Sequence, residues 1–124
     1  MTAADVPYPD AGTGAEAGAL YLARHVVSSP DPLRAAQLLQ NWIADHIGSA
    51  DEPQDFGSVY TVFADLGDID SVFGEEQAAT ESVRRAAEQW LTAAVNPTRR
   101  AAWIDKWTTW LTDYSAGREP FPWR

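Results

Sequence analysis

DFGSVYTVFADLG, residues 55–67, decides how this chain folds, because it reads in two ways. As a strand, 58–64 has the β-branched and aromatic residues that a pleated, half-buried surface favours. As a helix, Phe56, Val59, Val62, Phe63 and Leu66 recur at spacings of three and four, with Asp55 or Ser58 able to cap the start and Gly67 able to stop it. No second convincing strand occurs elsewhere, and a lone strand would leave its backbone N–H and C=O groups unpaired. The stretch is therefore read as a helix, with DIDSVFG adding a short turn after it.

The segments on either side are helical by the same test. From about Glu16, residues Ala19, Leu20, Leu22, Ala23, Val26 and Val27 share one side while Tyr21, Arg24 and His25 share the other. SSPDP interrupts, and Asp31-Pro32 opens a second helix as an Asx cap followed by proline at the first helical position. Its apolar side holds Ala35, Ala36, Leu39, Trp42, Ile43, His46 and Ile47, and Gly48 ends it. Beyond 55–67, a helix opens at Glu75 and Glu76, where the helix dipole favours anions, and presents Ala79, Val83, Ala86, Ala87, Trp90, Leu91 and Ala94. Asn96-Pro97 stops that helix, Thr98 can cap a last one and Gly117 can end it.

The expected fold is all-α: a single-domain bundle of four to five amphipathic helices with extended N- and C-terminal arms. Residues 1–14, with Pro7, Pro9, Gly12 and Gly14, form a flexible arm; 15–117 form the bundle; 118–124 form an extended tail, spaced by Pro120 and Pro122. A chain of 124 residues with 45% hydrophobic content is long enough for one core without staples, and it has no Cys with which to make them. The zero Cys count also removes thiolate catalysis and Cys-based metal sites.

Eighteen acidic against nine basic residues give a net charge of −9, which argues against direct binding to nucleic acid or anionic lipid. No signal peptide is visible and no apolar run is long enough for a membrane span, so a cytoplasmic location is expected. Between Arg34 and Arg84 there is no Lys or Arg, and Asp65, Asp68, Asp70, Glu75 and Glu76 crowd the centre of that interval. A solvated face is the ordinary reading of such a run. The sharper reading is a patch that steers the chain toward a basic surface, in the extreme as a mimic of DNA. These acids do not follow the calcium-loop order of an EF-hand, since Val72 stands where the next ligand should be.

Trp107, Trp110 and Tyr114 lie within about 40° of Trp103 on a helical projection. Core packing is the favoured reading of that row, with its lower end, Trp107, Trp110 and Tyr114, left as a candidate partner surface. Phe121 and Trp123 are further candidate anchors, because the two prolines beside them pre-order the tail. Arg99 and Arg100 are candidates for pairing with acids of the same fold or of a second copy. His25 and His46 stand in no metal-ligand spacing, and no phosphate loop, dinucleotide motif or nucleophile elbow occurs. No catalytic, cofactor or metal residue is assigned. The expected function is a non-catalytic accessory, adaptor or inhibitor module that binds a basic or grooved protein surface through aromatic anchors and acidic steering, with homodimerisation in reach. Two alternatives stand beside it: an acidic blocker of a nucleic-acid-binding protein, and an enzyme or ligand carrier with a pocket between helices.

Overall fold

The 55–67 stretch is helical, and the helix is longer than its sequence suggested. The computed structural model describes residues 8–10 and 12–115, without the side chains of Val72, Phe73 and Ser115. It contains five helices: α1 (Ala15–Ser28), α2 (Pro32–His46), α3 (Phe56–Phe73), α4 (Glu76–Ala93) and α5 (Pro97–Ser115). Among the described residues there is no strand.

Gly67 does not stop α3. Leu66 and Ile69 on either side of it are both buried, so the apolar stripe carries the helix onward and absorbs DIDSVF. The stop is Gly74, whose φ of +70° suits a residue without Cβ and whose N–H closes onto the Asp70 carbonyl at 2.8 Å. A second correction concerns α5. Asn96, not Thr98, is the cap: its side-chain oxygen accepts from the N–H groups of Thr98 at 2.9 Å and Arg99 at 3.1 Å. Pro97 then occupies the first helical position, where a missing N–H costs nothing. The dipeptide read as the end of α4 is the beginning of α5.

At α2 the Asp31 carboxylate accepts from the Arg34 N–H at 3.3 Å, as its sequence implies. Its last residue is His46; Ile47 turns to extended backbone and is 49% exposed, so it leaves the apolar side to which its spacing assigned it. Helix α1 has no local cap, since Gly14 brings no side chain. The Ala15 N–H donates instead to Asp51 Oδ2 at 2.9 Å, from the loop after α2. That bond holds the Asp51 carboxyl below its usual range.

Helix α4 is the centre of the fold, packed against each of the other four, while α1 also meets α2, and α3 also meets α2 and α5. Its stripe explains why it can do so. Ala79, Ser82, Ala86, Ala87 and Ala93 are small enough for several axes to approach one helix. The volume they leave is filled from outside by Phe56, Phe63, Trp103 and Trp107, all buried. The α1–α2 contact is closer still, because Gly18 lies under the Trp42 indole, whose Nε1 donates to the Ala15 carbonyl at 2.7 Å. Tyr8, in the arm before α1, stands edge-on to the same indole with ring centroids 5.6 Å apart. Among the described residues no helix is long and apolar enough to cross a membrane.

Candidate functional site

The Trp row lies in the interior. Trp103, Trp107 and Trp110 are 4%, 0% and 7% exposed. The Trp103 indole donates to the Ala86 carbonyl at 2.9 Å and the Trp107 indole to Gln89 Oε1 at 3.2 Å, so α5 is fastened to α4 by polar as well as apolar contacts. Trp107 meets Trp110 edge-on at 5.7 Å, and Trp110 stacks on Tyr114 at 5.3 Å. A ring without exposed surface offers a partner no contact in this conformation, which applies to Trp107 first. Tyr114 is half-buried. Phe121 and Trp123 lie outside the described residues.

Arg100 pairs within its own fold and was under-read from sequence. Only 8% exposed, it points from the first turn of α5 into a junction of four elements. Its Nε and one terminal nitrogen bind the two Asp55 oxygens at 2.8 and 2.7 Å, a bidentate pair with the residue that precedes α3. The other terminal nitrogen meets Glu16 of α1 and donates to the Ala94 carbonyl at 3.3 Å. The guanidinium also lies 5.6 Å from the Trp90 ring centroid. Burial works against both charges, pushing the Asp55 carboxyl up and the guanidinium down from their ordinary values. The two parallel hydrogen bonds offset that cost. Trp90 Nε1 is the buried side-chain donor without a partner among the described residues.

The acidic residues are differently placed. The ion pairs of the described residues are Arg84–Glu81, Arg85–Glu88 and the two made by Arg100, so Asp65, Asp68, Asp70, Glu75 and Glu76 enter none. Asp65 and Asp68 are exposed on successive turns of α3, and Asp70 is half-buried. The Asp65 carboxyl is raised above its usual value by partial burial and then by the Asp68 charge beside it. Glu75 stands at the N-cap position of α4 without a side-chain capping bond, beside the exposed Glu76, and accepts a hydrogen bond from the Tyr114 hydroxyl. That contact brings the end of α5, from which the tail departs, next to the acidic turn. Burial and the Glu75 carboxylate push the Tyr114 hydroxyl up to about 12.

His46 bonds the Trp42 carbonyl through Nδ1 at 2.8 Å and lies over the Trp42 ring, while His25 stands edge-on to Tyr21. Among the described residues no three His, Asp or Glu side chains converge on a metal position. Among the described residues, recesses open between helices. One, of about 480 Å³, is a shallow apolar trough between α4 and α5 that runs over Ala93, Ala102 and Trp103, with Arg99 and Lys106 on its rim. Another, of about 430 Å³, separates α2 from α3 and is polar, walled by Gln37, Gln40, Tyr60, Gly67, Asp68 and Asp70. Neither was visible as a sequence motif, since each depends on how two helices diverge. Comparison of the chain with family models, with curated proteins and with solved structures found no match.

Proposed function

We propose that this chain is a single-domain helical bundle that acts as a non-catalytic interaction module in the cytoplasm, docking onto a basic protein surface through α3 and the turn into α4. The observation that carries this reading is the lack, among the described residues, of any ion pair at Asp65, Asp68, Asp70, Glu75 and Glu76, although the fold pairs acids elsewhere. Unneutralised carboxylates on one face raise the rate and selectivity of encounter with a cationic surface. Two of the carboxylates stand on successive turns of a rigid helix, so the charge is held in a fixed pattern. The Tyr114–Glu75 contact adds a second element. It sets the last described turn of α5 beside the acidic turn, and Phe121 and Trp123, in the residues that follow in sequence, are the proposed apolar anchors.

The test is affinity capture at two ionic strengths with three forms of the chain: unaltered, Asp65→Asn/Asp68→Asn/Asp70→Asn, and truncated after residue 117. The expected result is a basic protein retained at low salt, released at high salt, lost with the triple variant and weakened by truncation. Capture that is indifferent to salt and to the three substitutions refutes the reading.

A further inference from the structure

We propose that the trough between α4 and α5 takes an amphipathic helix of a partner protein, one whose apolar stripe is flanked by carboxylates seven residues apart. The trough is remote from the acidic face of the docking role. Glu75 and Ala93 stand at opposite ends of α4, about 27 Å apart at 1.5 Å per residue. That exceeds several times over the roughly 8 Å across which charges are felt at physiological salt. The chain thus presents a second surface, of opposite sign.

Shape selects a helix. α5 lines the trough with Arg99, Ala102, Trp103 and Lys106, spaced as i, i+3, i+4 and i+7, and α4 faces them across it from Glu88 to Ala93. Each set is one face of its helix. The furrow therefore follows the two axes for about 10 Å, roughly two turns. It is too shallow to enclose a free molecule, as small-ligand sites do, whereas a third helix laid against two others needs only such a furrow. Val95, in the turn that joins the two helices at the Ala93 end, is 80% exposed and carries the apolar surface past the trough.

Charge selects which helix. Arg99 stands at one end of the trough and Lys106 at the other. Among the described residues Arg99 enters no ion pair. The Lys106 ammonium is met by neutral groups, Gln89 Oε1 at 2.9 Å and the Trp107 ring at 5.7 Å. Glu88, the acid of the lining, already faces Arg85 at 3.8 Å. The uncompensated charge is therefore positive at both ends, with an apolar floor between.

A partner helix laid beside α5 spans the same 10 Å with about seven residues, so carboxylates at i and i+7 meet both cations while leucine-like side chains between them cover Ala93 and Ala102. A free carboxylate reaches one end and leaves the other unanswered. A second copy has no such helix to spare, because among the described residues the apolar sides of all five helices are turned into its own core.

Fluorescence anisotropy with the full chain and a labelled peptide of about 20 residues, long enough to be helical, tests the assignment. The probe carries leucine along one face and two glutamates on its flank seven residues apart; the control has glutamine in their place. Saturable one-to-one binding of the probe is expected, with the control weaker by roughly fivefold, the worth of two exposed ion pairs. Arg99→Gln/Lys106→Gln should erase that difference and leave the control as it was. Ala102→Leu, at an exposed position, should weaken both peptides by about tenfold or more, since it fills the floor. Asp65→Asn/Asp68→Asn/Asp70→Asn, far from the trough, should leave both within about twofold; the docking role fails separately, by capture that ignores those three substitutions and salt. No saturable binding, equal affinity for the two peptides, or indifference to Ala102→Leu overturns the proposal. Tighter binding of dodecanoate with the same dependence on Arg99 and Lys106 overturns it in favour of a free amphiphile. Self-association in light scattering that Ala102→Leu abolishes overturns it in favour of a second copy.

Discussion

Gly18→Ala tests the tightest contact in the fold. An added Cβ would stand 2.2 Å from Trp42 Cε2 and Cζ2 and 2.7 Å from Nε1, against the roughly 3.5–4.0 Å of ordinary carbon contact. The indole has to retreat by more than about 1 Å to restore that spacing. Trp42 is 2% exposed, so it retreats into space that is already filled. Overpacking of this kind costs about 1–3 kcal/mol. The retreat also breaks the 2.7 Å bond from Trp42 Nε1 to the Ala15 carbonyl, and a buried donor left without a partner costs about 1–3 kcal/mol. Against these, the better helix propensity of alanine returns roughly 1 kcal/mol. The net expectation is a loss of about 1–5 kcal/mol, or a fall in Tm of roughly 3–20 °C for a chain of this length. Gly67→Ala is the matched control: the same substitution, inside another helix, with its nearest neighbour at 3.8 Å. It should gain about 0.5–1 kcal/mol. Thermal and urea unfolding followed by circular dichroism reads both. If the two substitutions shift stability in the same direction, the close packing of α1 on Trp42 is wrong.

Two further outcomes follow from the polar contacts. Arg100→Met leaves Asp55 and Glu16 without their counter-charge and should cost about 3 kcal/mol in urea unfolding, with Arg100→Lys recovering little because an ammonium cannot make the bidentate pair. Adding Asp55→Leu to Arg100→Met should restore much of the loss, and a double variant as unstable as the sum of its parts refutes this account of the junction. The second outcome concerns Tyr114, whose hydroxyl is raised to about 12 from an ordinary value of 10.0. A raised folded value means that folding favours the protonated form, so this contribution is intact below pH 10 and is lost as pH climbs from 10 through about 12. Tyr8 is also raised, by burial and the Asp45 charge, so phenolate absorbance should show a late-titrating component that diminishes in Tyr114→Phe and shifts earlier in Glu75→Gln; no change with Glu75→Gln removes the contact from consideration.

Much of the fold was legible because it depends on periodicity. The stripe of Phe56, Val59, Val62, Phe63 and Leu66 identified α3 as a helix, and the spacing of Trp103, Trp107 and Trp110 favoured an interior place for the row while leaving its lower end open as a partner surface. The errors fell where one residue type has two uses. Gly67 looks like a stop and is part of a helix that continues to Gly74; only Ile69, the next apolar position of the stripe, argues against the break. Asn96-Pro97 looks like an end and is a beginning, because the signals that close one helix also open the next. The site features were less accessible. Arg100 reaches acids 45 and 84 residues away in sequence, and spacing carries no information at that range. The α2–α3 cleft is a gap between helices, which no linear pattern records. The acidic run was plain to see, but its lack of counter-ions emerged only from where the arginines went.

The junction at Arg100 has a consequence for how the chain folds during its own synthesis. A ribosome delivers α1 through α4 before the first turn of α5, so Glu16 and Asp55 emerge long before the cation that joins them. Until residue 100 leaves the exit tunnel, the nascent helices lack the clasp between α1 and the start of α3, and the side of α4 that α5 will cover faces water. Closure is thus deferred until the first turn of α5 has emerged, and a ribosome stalled just short of that arginine would hold out an unfinished, greasy surface to whatever chaperone or protease arrives first.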